Sequence, residues 1–173
     1  MKTLNSNLNL PLKWISDGNE AILRAADKPI VVMNEFSAGN ALFNFDGFAY
    51  SIKKTGTWNS TVTIEREGTV ISTMKTSFFK NTGLIEMANG NQYTCRVKNA
   101  PLVKLYFSDS NHKEILYYKL DASSSPRTLF EIVDSSINDY DLVMLLVLGC
   151  FLFRGMVKES DDANLIILLA AGA

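Results

Sequence analysis

Short segments in which apolar and polar residues alternate fill the chain up to about residue 132. Alternation with a period of two is typical of strands that bury one face. Turn residues, including Asp-Gly, Glu-Gly and Asn-Gly pairs, separate the segments. We count about twelve of them: PLKWIS, EAILRA, PIVVMN, ALFNF, FAYSIKK, WNSTVTIER, TVISTMKT, TGLIEMA, NQYTCRVK, PLVKLYF, KEILYYKL and TLFEIV. The pattern predicts a meandering, mostly antiparallel sheet.

A different pattern follows in DLVMLLVLGCFLF, from Asp141 to Phe153, where no polar side chain interrupts the apolar run after the first residue. A helix built from the uncharged stretch would rise only about 18 Å, whereas the hydrocarbon core of a bilayer is about 30 Å thick. The run is therefore too short to span a membrane. Apolar residues occupy the whole circumference of such a helix, so it has no face suited to water. We expect the rest of the protein to enclose it.

Capping signals set the bounds of this helix. Either Ser136 or Asn138 can serve as the N-cap, and the acidic Asp139 and Asp141 fall in the first turn, where the helix dipole favours negative charge. Basic residues in RGMVKES suit the opposite end. The sequence predicts one helix from Asp139 to about Lys158.

Composition indicates one domain without a nucleic-acid partner. A chain of 173 residues that is 47% hydrophobic can bury one substantial core. The formal net charge of −1 gives no overall attraction to nucleic acid. The two cysteines, Cys95 and Cys150, lie far apart in sequence and are predicted to be buried free thiols. The N-terminal segment has no apolar stretch of the kind a secretory signal needs, so we expect a cytoplasmic protein.

The residues that carry catalytic or metal chemistry are few. His112 is the only histidine, and its polar surroundings, SDSNHKE, indicate a solvated turn. The carboxylate pairs Asp139 with Asp141 and Asp161 with Asp162 fit helix ends and solvated turns better than a metal cluster. No glycine-rich phosphate loop is present. The sequence predicts no catalytic residue, no metal site, no cofactor and no enzymatic activity.

Two segments resemble each other. DGFAYSIKK begins at Asp46 and NGNQYTCRVK at Asn89, 43 positions later, and both place a tyrosine three residues after a glycine. Either the chain contains a duplicated unit, or two ordinary β-meanders share the same hairpin pattern.

The strand number, the meander and the apolar helix together resemble the tubby C-terminal-like superfamily, which includes tubby proteins, phospholipid scramblases and the LURP-one-related proteins. The resemblance extends from LKWISDG to YDLVMLLVLGCFLF. It implies a mainly β fold in which a closed barrel of about twelve antiparallel strands encloses a hydrophobic helix at about 139–158, as one domain over residues 1–173. The segment DDANLIILLAAGA departs from the scramblase pattern, and its apolar run, residues 163–173, can be read as a strand or as a helix.

The resemblance also implies a non-catalytic module that tethers to anionic phospholipid headgroups through a basic patch, as a cytoplasmic protein peripheral to a membrane. The candidate lipid-binding residues are Lys53, Lys54, Lys75 and Lys80, which can equally be solvated strand lysines. A protein-interaction scaffold without a lipid ligand is the alternative. A carrier barrel for an apolar ligand is disfavoured, because a helix on the barrel axis leaves little room for the ligand.

Overall fold

The computed structural model describes residues 11–37, 39–56, 60–77, 81–98, 103–121, 127–134 and 136–161. Within these ranges the chain forms twelve strands followed by one helix. The strands are β1 (Leu12–Asp17), β2 (Glu20–Ala25), β3 (Lys28–Ser37), β4 (Asn40–Phe45), β5 (Phe48–Thr55), β6 (Thr61–Arg66), β7 (Thr69–Ser77), β8 (Thr82–Met87), β9 (Gln92–Lys98), β10 (Lys104–Asp109), β11 (Glu114–Asp121) and β12 (Arg127–Ile132). The helix, α1, is Asp139–Asp161.

All twelve strands belong to one antiparallel sheet, and each strand pairs with the next one along the chain. The order in the sheet therefore runs from β1 to β12 without a crossover. This confirms the predicted mainly β class and the predicted antiparallel meander. Strands β1 and β12 are the two ends of the sheet order, and no hydrogen-bonded ladder joins them in the part of the chain that the structure describes.

The longest connections lie at one end of the sheet. At the other, which we call the tight-turn end, two residues connect β2 to β3, β4 to β5 and β6 to β7, and four connect β8 to β9 and β10 to β11. Two of these turns are Asp46-Gly47 and Glu67-Gly68, whose φ angles are all positive, as the tightest hairpin turns require. The loop end holds the connections of four or five residues from β5 to β6, β7 to β8, β9 to β10 and β11 to β12, together with the two-residue connections from β1 to β2 and from β3 to β4.

Helix α1 runs from the tight-turn end to the loop end. Near its start, Asp141 accepts a hydrogen bond from Asn89, which lies in the β8–β9 turn. Near its other end, Arg154 donates to the backbone carbonyl of Gly18 in the β1–β2 turn. Every residue from Asp141 to Phe151 is buried, which confirms that the apolar run lies in the core. No helix within the described ranges is long and apolar enough to cross a membrane.

The bounds of α1 agree with the prediction at its start and extend beyond it at its end. The helix begins at Asp139, and Asn138 rather than Ser136 is the N-cap, because its Oδ1 accepts a hydrogen bond of 3.0 Å from the backbone N–H of Asp141. It continues to Asp161 instead of ending near Lys158. The apolar run at 163–173 lies outside the described residues.

Candidate functional site

Two of the lysines predicted to bind lipid are neighbours on β5 but lie on opposite faces of the sheet. Lys53 is on the outer face, where its Nζ is 2.6 Å from a carboxylate oxygen of Glu65. Lys54 pairs in register with Val62, which is buried in the core, so Lys54 belongs to the inner-facing row and is exposed only because it lies near the loop end. The two ammonium groups therefore do not converge on one ligand.

The other two predicted lysines do not complete a cluster among the described residues. Lys75 is exposed on β7, two strands from β5, where it lies opposite Leu84 and Thr61. Two strand spacings correspond to roughly 10 Å. Lys80 lies outside the described residues.

A second set of lysines does form a row. Lys104 on β10 lies directly opposite Lys98 on β9 and directly opposite Lys119 on β11. Neighbouring strands are about 4.8 Å apart, so three positive charges follow one another across the outer face. Like charges directly opposite each other destabilise a sheet. An anion bound over the row would reduce the repulsion between these charges.

Two tyrosines lie beside this row. Tyr106 and Tyr117 are directly opposite each other on β10 and β11, two residues from the lysines of the same strands. The Nζ atom of Lys104 is 3.7 Å from the ring centroid of Tyr117, and that of Lys98 is 5.1 Å from the centroid of Tyr106. Lys119 contacts the Tyr117 ring at 5.6 Å. We refer to these five residues as the lysine–tyrosine surface.

Carboxylates neutralise only part of this surface. Lys104 forms an ion pair of 2.9 Å with Glu114. Within the described ranges, neither Lys98 nor Lys119 has a carboxylate partner. The Tyr117 hydroxyl donates to Glu131, and this hydrogen bond, with a smaller effect of burial, raises the pKa of Tyr117 to about 12. The tyrosine therefore stays neutral at physiological pH, and the charge of the surface comes from its lysines.

The edges of the lysine–tyrosine surface add one cation and one apolar side chain. Arg96 on β9 is exposed and lies opposite Tyr106. Leu129 on β12 is 41% exposed and lies opposite Lys119. The row of Lys98, Lys104 and Lys119 is thus followed on a fourth strand by Leu129.

Sequence reasoning missed this surface because its three lysines lie on three different strands and only strand register brings them together. A signal was nevertheless present in the spacing of polar residues within each strand. Lys104 precedes Tyr106 by two residues, and Lys119 follows Tyr117 by two, so each pair shares one face of its strand. Combining this spacing with the predicted hairpins would have brought the basic and aromatic residues together.

The remaining reactive side chains offer no second site in the described part of the chain. His112 is exposed in the β10–β11 turn, as predicted. Cys95 and Cys150 are buried free thiols, which confirms that prediction, and burial raises the pKa of Cys95 to about 12. The described residues contain no group of three or more potential metal-ligating side chains.

One acidic residue has a different environment from the one predicted. Asp141 lies at the helix start, as expected, but it is fully buried instead of solvated. Its carboxylate accepts hydrogen bonds from the Asn89 amide at 2.9 Å, the Asn91 amide at 2.7 Å and the Tyr93 hydroxyl at 2.8 Å. These partners satisfy the buried charge, and the arrangement anchors the helix. Asp161 is the last described residue of α1, and Asp162 lies outside the described residues.

Comparisons with protein-family models, curated proteins and solved structures find no match.

Proposed function

We propose that this domain is a non-catalytic module that binds anionic phospholipid headgroups at a membrane surface through the lysine–tyrosine surface. The observation that carries the proposal is the row formed by Lys98, Lys104 and Lys119, of which the first and last have no carboxylate partner among the described residues. A lipid phosphate placed over the row would reduce the repulsion between these charges.

The physical properties of the surface favour a membrane over a small soluble anion. Each basic residue near an anionic leaflet contributes about 1 kcal/mol of attraction, and several on one face act together. Tyrosine rings are amphipathic and favour the headgroup region of a bilayer. The aliphatic stems of lysines can lie along apolar surface while the ammonium groups remain in the polar layer.

The proposal includes the closed barrel that the tubby-like resemblance implies. The buried helix supports closure, since a helix that is apolar on all sides needs sheet around its whole circumference. Further support comes from the hydrogen bond between Trp14 on β1 and Tyr118 on β11, which brings the first strand close to the last strands. A barrel filled by its own helix has no interior site for an apolar ligand. We place the protein at the cytoplasmic face of a membrane, where anionic lipids are concentrated.

Vesicle binding tests the proposed function. We expect the protein to bind vesicles of phosphatidylcholine and phosphatidylserine but not vesicles of phosphatidylcholine alone. Binding should weaken as salt is raised, because exposed charges are screened over about 8–10 Å at physiological ionic strength. The double variant Lys98→Gln with Lys119→Gln should lose about 2 kcal/mol of binding free energy, or roughly 30-fold in affinity. Vesicle co-sedimentation over a range of lipid concentrations measures both effects.

The control variant is Lys54→Gln with Lys75→Gln, which removes the same charge from two other exposed strand positions. It should bind nearly as well as the wild type, and both variants should keep the wild-type melting temperature within a few degrees. Loss of binding in the control alone would assign the site to the lysines predicted from sequence. Absence of wild-type binding at low salt would reject lipid tethering and favour the protein-interaction scaffold.

A further inference from the structure

Leu129 is exposed at the edge of the proposed lipid-binding surface. It lies on β12, directly opposite Lys119, and 41% of it is accessible to solvent. In the adjacent row, Glu131 of the same strand lies opposite Tyr117 and accepts a hydrogen bond from that tyrosine. The leucine therefore shares the outer face with the lysines and tyrosines and does not point into the core.

The row combines charge with an apolar side chain, which suits contact with a membrane. Lys98, Lys104, Lys119 and Leu129 lie on four consecutive strands, so the row extends over about 14 Å. Its first three members attract an anionic layer, and the fourth is one of the largest aliphatic side chains. A soluble anion held by the ammonium groups would leave Leu129 in water. A bilayer would bring both the charges and the leucine into favourable surroundings.

On the assumption that the proposed function is correct, we infer that Leu129 inserts into the boundary between headgroups and acyl chains when the lysine row binds. The ligand of this surface is then an anionic bilayer, not a free headgroup, and the outer face of β9 to β12 lies against it. Tyr106 and Tyr117, in the adjacent row, lie at headgroup depth. In this arrangement electrostatic attraction and partial apolar insertion add to each other.

Leu42 provides a matched control. It is also an exposed strand leucine on the outer face, at 52% accessibility, but its partners in register are Asn34 and Ser51. If exposed leucines anywhere on the sheet promoted membrane binding, Leu42 would do so at least as well as Leu129. The proposal predicts that only the leucine beside the lysine row does.

The first measurement is the affinity for phosphatidylcholine–phosphatidylserine vesicles. The variant Leu129→Gln should bind about fivefold more weakly than the wild type, because part of the leucine side chain no longer enters the apolar layer. Leu42→Gln should leave the affinity unchanged. The salt dependence of binding should be the same in wild type and Leu129→Gln, because leucine and glutamine are both uncharged.

The second measurement reports insertion directly. A cysteine introduced as Leu129→Cys can be labelled with an environment-sensitive fluorophore, because Cys95 and Cys150 are buried. Its emission should shift to the blue on adding the anionic vesicles, whereas the same label introduced as Leu42→Cys should not shift.

The two proposals fail in different ways. Insertion would be overturned if Leu129→Gln bound with wild-type affinity and the label at position 129 showed no emission shift. Headgroup binding would still stand in that case, provided that the double variant Lys98→Gln with Lys119→Gln lost affinity. Wild-type affinity in both the lysine variant and the leucine variant would reject the surface itself. A fivefold loss in Leu129→Gln with an emission shift confined to position 129 supports the inference.

Discussion

At the scale of single residues, the backbone of α1 comes close to two aromatic rings where the helix passes β10 and β11. A Cβ atom at Gly149 would lie 2.3 Å from Cε2 of Tyr118 and 3.0 Å from Cε2 of Phe107. The Tyr118 hydroxyl donates to the Leu146 carbonyl at 2.6 Å and accepts from the Trp14 indole at 3.0 Å. The ring is therefore fixed in place, and only glycine allows the helix to approach it this closely.

We expect Gly149→Ala to destabilise the protein although alanine favours helices. The methyl group would force the Tyr118 ring to move, and such overpacking costs about 1–3 kcal/mol, which outweighs the gain of about 1 kcal/mol in helix propensity. Gly155→Ala is the matched control, because a Cβ atom there would have no neighbour within 4 Å and the propensity gain remains. Urea unfolding of both variants measures the difference. Equal stabilisation by the two alanines would contradict the close contact at Gly149.

At the scale of elements, α1 is held by buried polar contacts near both ends. Asp141 accepts its three side-chain hydrogen bonds at the tight-turn end. At the loop end, Arg154 Nε donates to Glu35 at 2.7 Å, and an Nη atom donates to the Gly18 carbonyl at 2.8 Å. The apolar residues between these ends are buried on all sides, so burial alone does not set the rotation of the helix, although the close approach of Gly149 to Tyr118 limits it. The polar contacts fix its position along the axis and its rotation, because each must meet a specific partner.

Replacing the anchor at the helix start should reveal this role. Asp141→Asn substitutes an amide for one acceptor oxygen and places its N–H groups against donors from Asn89, Asn91 or Tyr93. At least one buried donor loses its partner, and with the lost charge we expect a destabilisation of about 2–4 kcal/mol. Asp46→Asn makes the same chemical change in an exposed turn where asparagine is well tolerated, and should change stability by less than about 0.5 kcal/mol. Thermal and urea unfolding provide the comparison.

The elements themselves could be predicted from local sequence, because each has a local cause. Period-two alternation and glycine turns fix the strands, and EAILRA coincides with β2. The start of α1 at Asp139 follows from a cap that is present in the sequence. The environment of Asp141 could not be predicted, because its partners come from β9 and the β8–β9 turn, about fifty residues away in sequence. Local patterns carry no information on which side chains meet across that distance.

The lysine–tyrosine surface could not be predicted from the sequence for a related reason. Two of the lysines predicted to bind lipid, Lys53 and Lys54, are adjacent in sequence, and adjacent residues of one strand lie on opposite faces. The lysine–tyrosine surface depends on alignment between strands, where a shift of one residue would move Lys104 to the other face. Register is determined by the packing of the inner faces against the helix and by turn lengths together. It is therefore a property of the assembled sheet.

At the scale of the whole molecule, the meander places its first and last strands at opposite ends of the sheet order, and a hydrogen bond connects the two regions. Trp14 on β1 donates from Nε1 to the hydroxyl of Tyr118 on β11, with 104 residues between them in sequence. The same hydroxyl contacts the helix backbone at Leu146. This pair connects β1, β11 and α1 at one point, and β1 otherwise pairs with β2 alone among the described strands.

A double-mutant cycle on Trp14→Phe and Tyr118→Phe tests whether this contact holds the ends of the sheet together. Each substitution removes one partner of the hydrogen bond. The change in the free energy of unfolding of the double variant should therefore differ by about 1 kcal/mol from the sum of the changes in the two single variants. Because β1 pairs with a strand on one side only, loss of the hydrogen bond should also allow β1 to open before the rest of the sheet. Hydrogen exchange should therefore become faster at β1 amides in Trp14→Phe, while amides of β6, paired on both sides, should exchange at the wild-type rate under conditions of local opening. Strictly additive energies with unchanged exchange at β1 would show that the first strand is held in place by its pairing with β2 and not by the tryptophan.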